Sequence, residues 1–207
     1  MNRVRYILII ILIFSCQSDT ENDDQFGVIS PDLISAVDIS GYPKISTYNP
    51  TFYDKNNNEI NFINALIQSG VNTIRLRLWV NPADESSSLE EVKEFSNELR
   101  SLGFKIWITP HFSDTWAHPG QQQIPINWES LSFEELKNQL YAHTSQIMSE
   151  INPDYIQIGN EINTGILFPH GNIVDNQVQF IELLNIGVSA VRNNSTETKI
   201  ILHCAGF

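Results

Sequence analysis

Residues 155–162 read Tyr-Ile-Gln-Ile-Gly-Asn-Glu-Ile. Ile156 and Ile158 share one face of an extended segment, and Tyr155, Gln157 and Gly159 share the other, the two-residue period of a β-strand. Such a strand delivers Asn160 and Glu161 at its C-terminal end. A helical pattern precedes it over 132–151. Ser132 starts that helix, with Glu135 three residues on as a capping box, and Pro153 bars its continuation. A second helical pattern follows over 178–191, then an apolar strand at 199–204. Further strands read at 33–39, 72–79 and 105–111, each short and rich in Ile, Val or aromatic residues. Between them lie helices at 61–68 and 88–102. Phe62, Ala65 and Leu66 share a face of the first, and Leu89, Val92, Phe95, Leu99 and Leu102 recur at helical spacing in the second. Gly70 and Gly103 stop them.

Strand and helix alternate along the whole chain, which predicts an α/β fold with a parallel sheet. An open doubly wound sheet and a TIM (β/α)8 barrel compete. The first strand-to-helix loop lacks the glycine-rich phosphate fingerprint of a dinucleotide fold. Polar residues crowd the C-terminal strand ends, where a barrel builds its active site. A full barrel takes about 250 residues. Residues 33–207 hold about five of its eight strands, so the expectation is an incomplete barrel.

The chain has 207 residues, 42% of them hydrophobic and 17% charged, with a net charge of −12. That charge repels phosphate and argues against nucleic acid or an acidic polymer as partner, leaving a neutral substrate. The N-terminus stands apart. Arg3 and Arg5 precede an apolar run at 6–14, too short to span a bilayer, followed by Ser15 and Cys16. Residues 1–15 read as a lipoprotein-type signal peptide with Cys16 as the lipidated residue, and residues 16–32 as an acidic tether. A plain secretory signal or a buried apolar strand is the alternative. The lipoprotein reading anchors the protein to a membrane and places it at the outer membrane or cell surface of a Gram-negative bacterium. The remaining cysteine, Cys204, lies in an apolar run and is expected to be buried, with no disulfide framework.

Glycoside cleavage needs a carboxyl group that protonates the leaving oxygen and later activates water. Glu161 has the right placement, and the adjacent Asn160 can hydrogen-bond a sugar hydroxyl. The competing reading makes Glu161 a first-turn helix acid. Arg75 and Arg77 alternate with Ile74, Leu76 and Leu78, and an arginine in an apolar strand needs a partner. Arg75 reads as a barrel-core salt bridge, and Arg77, nearer the strand end, as an active-site group. His111 ends the next strand and can donate to a hydroxyl or carboxylate. Trp79, Trp116 and Trp128 fall in segments beyond strands, where indole faces can stack on sugar rings; core packing is the alternative for each. His111 and His118 lie seven residues apart with Asp114 between, and no further ligand spacing supports a metal.

Together these stretches resemble the arabinogalactan endo-β-1,4-galactanases of glycoside hydrolase family 53. The similarity lies in residues 36–42 (AVDISGY), 48–54 (YNPTFYD), 70–82 (GVNTIRLRLWVNP), 111–122 (HFSDTWAHPGQQ) and 156–171 (IQIGNEINTGILFPHG). The resemblance implies an eight-stranded barrel, a retaining mechanism and β-1,4-galactan as polysaccharide substrate. It implies that Glu161 is the acid/base, that Asn160 binds near the reacting sugar, and that Arg77 and His111 share the site. Asp38 matches a family position, and Trp116 a cleft aromatic. The chain departs from the family at Thr109, Pro110 and Phe112 around His111, at His118 in place of an Asp, and at Phe168 in place of a Trp, which bears on subsite chemistry. The family's nucleophile is a Glu on the seventh strand, for which residues 1–207 offer no counterpart. The expectation is therefore a fragment that does not turn over alone, with an exposed sheet edge. No cofactor is required by this chain. A calcium site known in some relatives would fall beyond Phe207, and the complete protein is expected to be a monomer. Two other readings stay open: a non-catalytic glycan-binding surface lipoprotein, and another retaining glycosidase of the clan, a mannanase or glucanase.

Overall fold

The computed structural model describes residues 33–206. The signal peptide at 1–15, Cys16 and the tether at 16–32 lie outside the described residues.

The elements run β1 (Ala36–Asp38), α1 (Tyr42–Ser46), β2 (Phe52–Tyr53), β3 (Glu59–Ile60), α2 (Phe62–Gln68), β4 (Thr73–Leu78), α3 (Leu89–Ser101) and β5 (Lys105–Pro110). They continue with α4 (Phe133–Ile151), β6 (Tyr155–Gln157), β7 (Gly165–Ile166), β8 (Gly171–Asn172), α5 (Gln177–Asn194) and β9 (Lys199–Ile201). One parallel sheet of five strands has the order β1-β4-β5-β6-β9. Each strand pairs with the next long strand in the chain, and the order never reverses. A doubly wound sheet would reverse at its switch point. This is the winding of a (β/α)8 barrel, present here as an arc of five strands.

The elements follow from local chemistry. Ser88 caps α3 by accepting from the Glu91 N–H at 3.3 Å. Ser132 and Glu135 exchange both bonds of the capping box at the start of α4. Asn152, left-handed at φ 50°, ends α4 one residue before Pro153. Asn61 caps α2. The β2–β3 hairpin forms around Asp54, whose Oδ1 accepts from the Asn56 and Asn58 N–H groups at 2.8 Å. This hairpin, the β7–β8 hairpin and α1 are too short to carry a period, and sequence reasoning missed all three.

The core lies between the sheet and its helices. Ile74, Leu76, Leu78, Ile106, Ile108, Ile156 and Ile158 face outward and are fully buried, against Leu99 of α3, Leu136, Leu140 and Ile147 of α4, and Leu183 and Val191 of α5. Each such side chain contributes about 1.5–3 kcal/mol relative to exposure. Gly187 lets α5 close on β6, since a Cβ there would fall 2.9 Å from Ile158 Cγ2. The opposite, inner face carries Arg75, Arg77, Trp107, Thr109, Tyr155 and Gln157, in register across the strands.

Cys204 differs from expectation. It is exposed, and it follows β9, one of the two edge strands of the sheet among the described residues.

Candidate active site

The parallel register sets Asp38 of β1 beside Arg75 of β4. Arg75 Nη1 is paired with Asp38 Oδ2, and Nη2 donates to Asn160 Oδ1 at 2.8 Å. Arg75 therefore reaches the Asn160–Glu161 pair, which corrects its reading as a core salt bridge alone. Asn160 is buried, and its Nδ2 donates to the Ala117 carbonyl at 2.8 Å. Gln157, fully buried, donates to Asn160 Oδ1 at 3.2 Å. Both ends of the Asn160 amide are engaged, and one Nδ2 hydrogen is left without an acceptor among the described residues.

Glu161 follows β6 in the left-handed conformation, φ 50° and ψ 53°. A non-glycine residue there costs about 1–2 kcal/mol. Gly159, at φ 77°, prepares the turn; a Cβ on it would lie 2.7 Å from Ile162 Cγ2. The half-buried Glu161 carboxylate makes no hydrogen bond or ion pair among the described residues, so it is open to a ligand. Its backbone is held from two sides. Gln122 Nε2 donates to the Asn160 carbonyl at 2.8 Å and the Glu161 carbonyl at 3.1 Å, while the Glu161 N–H meets His203 Nδ1 at 3.3 Å.

Arg77 lies beside this network. Its backbone N–H donates to Ser40 Oγ at 2.8 Å, and Ser40 Oγ donates to Asp38 Oδ1 at 2.6 Å. Its guanidinium donates to Ser87 Oγ at 3.0 Å and stands over Trp79, 4.6 Å from the ring centre, with Trp116 at 5.7 Å. His111 is edge-on to Trp79 and Trp116, at 6.5 and 5.5 Å. Burial, aided by the positive charges of Arg75 and Arg77, pushes the His111 pKa down to about 3. The ring is neutral. Nδ1 accepts from the Ala117 N–H at 3.0 Å, which leaves the proton on Nε2, a buried donor without a partner among the described residues.

Trp116 is 45% exposed and offers an indole face to solvent; Trp79 is half-buried. Trp128 is not available to a ligand. It is 4% exposed and packs edge-on against His143 of α4 at 5.6 Å. Its 3-10 turn, Ile126–Trp128, folds the indole inward under the loop.

Ser40, Ser87 and Gln157 carried no role in the sequence reading, nor did the two residues that meet the Glu161 backbone, Gln122 and His203. Gln122 appeared only inside a longer motif. His203 sits at a strand end, as His111 does, and that placement was the signal available. Burial, then the charge of Arg75, lowers the His203 pKa, and Glu161 opposes the shift. Among the described residues no group of three or more His, Cys, Asp and Glu side chains could hold a metal ion. His118 and Asp114 shape turns instead: His118 Nδ1 accepts from the Gly120 N–H at 3.2 Å, and Asp114 Oδ2 from the Ile126 N–H at 2.9 Å.

The site is thus an arc of (β/α)8 barrel with an open carboxylate, an engaged Arg–Asn pair and an exposed indole beyond its strands. The profile of glycosyl hydrolase family 53 matches residues 34–206, and the chain belongs to that family. It is 35% identical over 145 residues to arabinogalactan endo-beta-1,4-galactanase A of Emericella nidulans, covering 67% of this chain and 41% of that one. It is 32% identical over 160 residues to the arabinogalactan endo-beta-1,4-galactanase of Thermothelomyces thermophilus, covering 74% and 48%. Among solved structures, the Ignisphaera aggregans GH53 catalytic domain superposes with a TM-score of 0.78 at 37% identity, covering 85% of this chain and 53% of that one. The chain spans about half the length of these relatives.

Proposed function

We propose that this chain carries the acid/base half of an enzyme that hydrolyses internal β-1,4-galactosidic linkages of arabinogalactan with retention of configuration. The observation that carries the reading is Glu161. Its backbone is strained and held, while its carboxylate makes no hydrogen bond or ion pair among the described residues and follows directly on Asn160, which Arg75 engages. In the reaction Glu161 protonates the leaving glycosidic oxygen, then takes a proton from the incoming water. Trp116 stacks on a sugar ring, and the neutral His111 Nε2–H and the spare Asn160 hydrogen orient hydroxyls.

A retaining mechanism needs a second carboxylate about 5 Å from the first. Asp38 does not suit that role, since Arg75 and Ser40 already occupy its oxygens. The nucleophile is therefore proposed to lie outside residues 1–207, so that these residues alone bind galactan and do not cleave it. Calorimetry with β-1,4-galactotetraose, together with an assay of reducing ends released from β-1,4-galactan, tests this. Binding without release is expected. Release by the 207-residue chain would overturn the missing nucleophile, and binding of mannan or glucan oligosaccharides instead would move the protein to another retaining specificity.

Attachment to a cell-surface membrane through a lipid on Cys16 is part of the same proposal, supported by the basic start, the short apolar run and the acidic segment that follows. Metabolic labelling with a fatty acid, lost in Cys16→Ala, is the expected result.

A further inference from the structure

We infer that Gln122 and His203 are positioning residues that hold Glu161 in its left-handed conformation and so aim its carboxylate. The role in catalysis rests on the proposed function; the conformational role does not.

The geometry is a clamp on two consecutive peptide groups. One amide nitrogen, Gln122 Nε2, donates to the carbonyls of Asn160 and Glu161 at 2.8 and 3.1 Å. Two carbonyls converge on one donor because the chain turns sharply between them. With the Gln122 amide reversed, its oxygen would face two carbonyl oxygens, so the nitrogen must point inward. On the other side the Glu161 N–H meets His203 Nδ1 at 3.3 Å. That contact needs Nδ1 unprotonated, and burial and the Arg75 charge favour the neutral ring. His203 Nδ1 also lies 3.1 Å from Asn160 Oδ1, to which only a protonated Nδ1 could donate. Arg75 and Gln157 already donate to that oxygen, so the ring is better used as the acceptor for Glu161.

Gln122 is fixed before it can fix anything else. It is 1% exposed, and its backbone carbonyl accepts from the Phe168 N–H at 2.7 Å, while its side-chain Oε1 is buried without a partner among the described residues. The same loop is tied at both ends of the turn. The Ala117 carbonyl accepts from Asn160 Nδ2, and the Pro119 carbonyl from Thr164 Oγ1. The segment 117–123, from beyond β5, thus lies along 160–168, beyond β6. A left-handed glutamate relaxes toward ordinary backbone unless its surroundings hold it. Gln122 and His203 are the groups that meet its two peptides, His203 through its backbone carbonyl as well, which accepts from the Ile162 N–H at 2.9 Å and stays in every side-chain variant.

The test uses the nitrogen-15-labelled 207-residue chain. Exchange of the Glu161 amide hydrogen and the His203 ring nitrogen shifts are read by NMR for wild type, Gln122→Met, His203→Ala and His203→Asn. Methionine keeps the length of glutamine without the donor; asparagine puts its Oδ1 where Nδ1 stands. Expected are exchange about tenfold faster at Glu161 in Gln122→Met and His203→Ala, slow exchange restored in His203→Asn, and an unprotonated Nδ1 in wild type. Melting temperature stays within a few degrees for the His203 pair, which separates positioning from support of the fold. Unchanged exchange in both Gln122→Met and His203→Ala overturns the inference. If Gln122→Met does not fold, the His203 pair decides alone: equal exchange in the alanine and asparagine variants overturns it. A parallel titration with β-1,4-galactotetraose is expected to weaken about tenfold in His203→Ala. Failure of wild type to bind the tetraose sinks the galactan reading and leaves the exchange result standing.

Discussion

Arg75 Nη2 and Asn160 Oδ1 lie 2.8 Å apart, joining β4 to the turn beyond β6 across β5, while Nη1 of the same guanidinium pairs with Asp38. One planar fork thus ties β4 to the end of β1 and to the turn beyond β6. Arg75→Met is expected to destabilise the chain by about 1–2 kcal/mol in urea denaturation, since it strips the buried Asn160 amide of a donor, the exposed Asp38 carboxylate adding little. Arg75→Lys should recover little, because a single ammonium cannot bridge both acceptors.

The two loop tryptophans should separate. Trp128→Ala empties a core position 4% exposed and is expected to cost about 3–5 kcal/mol. Trp116→Ala removes a side chain 45% exposed and should barely move the melting temperature, while weakening galactotetraose binding several-fold. Thermal melts and calorimetry on the same samples check both.

Backbone strain at Glu161 is measurable without any substrate. Both Glu161→Gly and Glu161→Ala remove the carboxylate, but only glycine is at ease at φ 50°. The glycine variant is expected to be about 1 kcal/mol more stable than the alanine variant by denaturant titration. Equal stabilities would mean the turn is not strained.

Acid should destabilise the fold through buried histidines. Burial holds the His143 pKa down to about 4 and, with the arginines, His111 to about 3, below the ordinary 6.5. As pH falls below about 6.5 the unfolded chain takes up protons that the folded chain refuses. Their stabilising contribution is therefore full above that pH and is lost progressively as pH falls to about 4 for His143 and about 3 for His111. Each histidine adds up to about 1.4 kcal/mol per pH unit in that window. His143→Leu should lower the slope of stability against pH between 6.5 and 5 by up to that amount in urea titrations.

Much of the fold could be read in one dimension. The two-residue period at 72–79 and 155–161 and the helical spacing of Leu89, Val92, Phe95 and Leu99 record which side of each element meets the core, and that side is buried as expected. Capping by Ser132 was equally local. The candidate acid was legible because a carboxylate at a strand end has few structural uses.

What the sequence left open was every choice that depends on a neighbour distant in the chain. Alternation puts both Arg75 and Arg77 on the inner face and says nothing of which reaches Asn160, 85 residues beyond Arg75. Parallel register decided that. Composition makes Trp116 and Trp128 alike; the turn that buries one and exposes the other arises from packing on α4. Gln122 and His203 gained their roles only when the loop beyond β5 and the end of β9 closed on the Glu161 turn. The sequence by itself determined the five long strands, the four longer helices, their winding and the candidate acid, because local backbone and solvent preferences act over a few residues. Tertiary structure alone decided how the acid is held, because hydrogen bonds act through space between segments whose meeting no local period encodes.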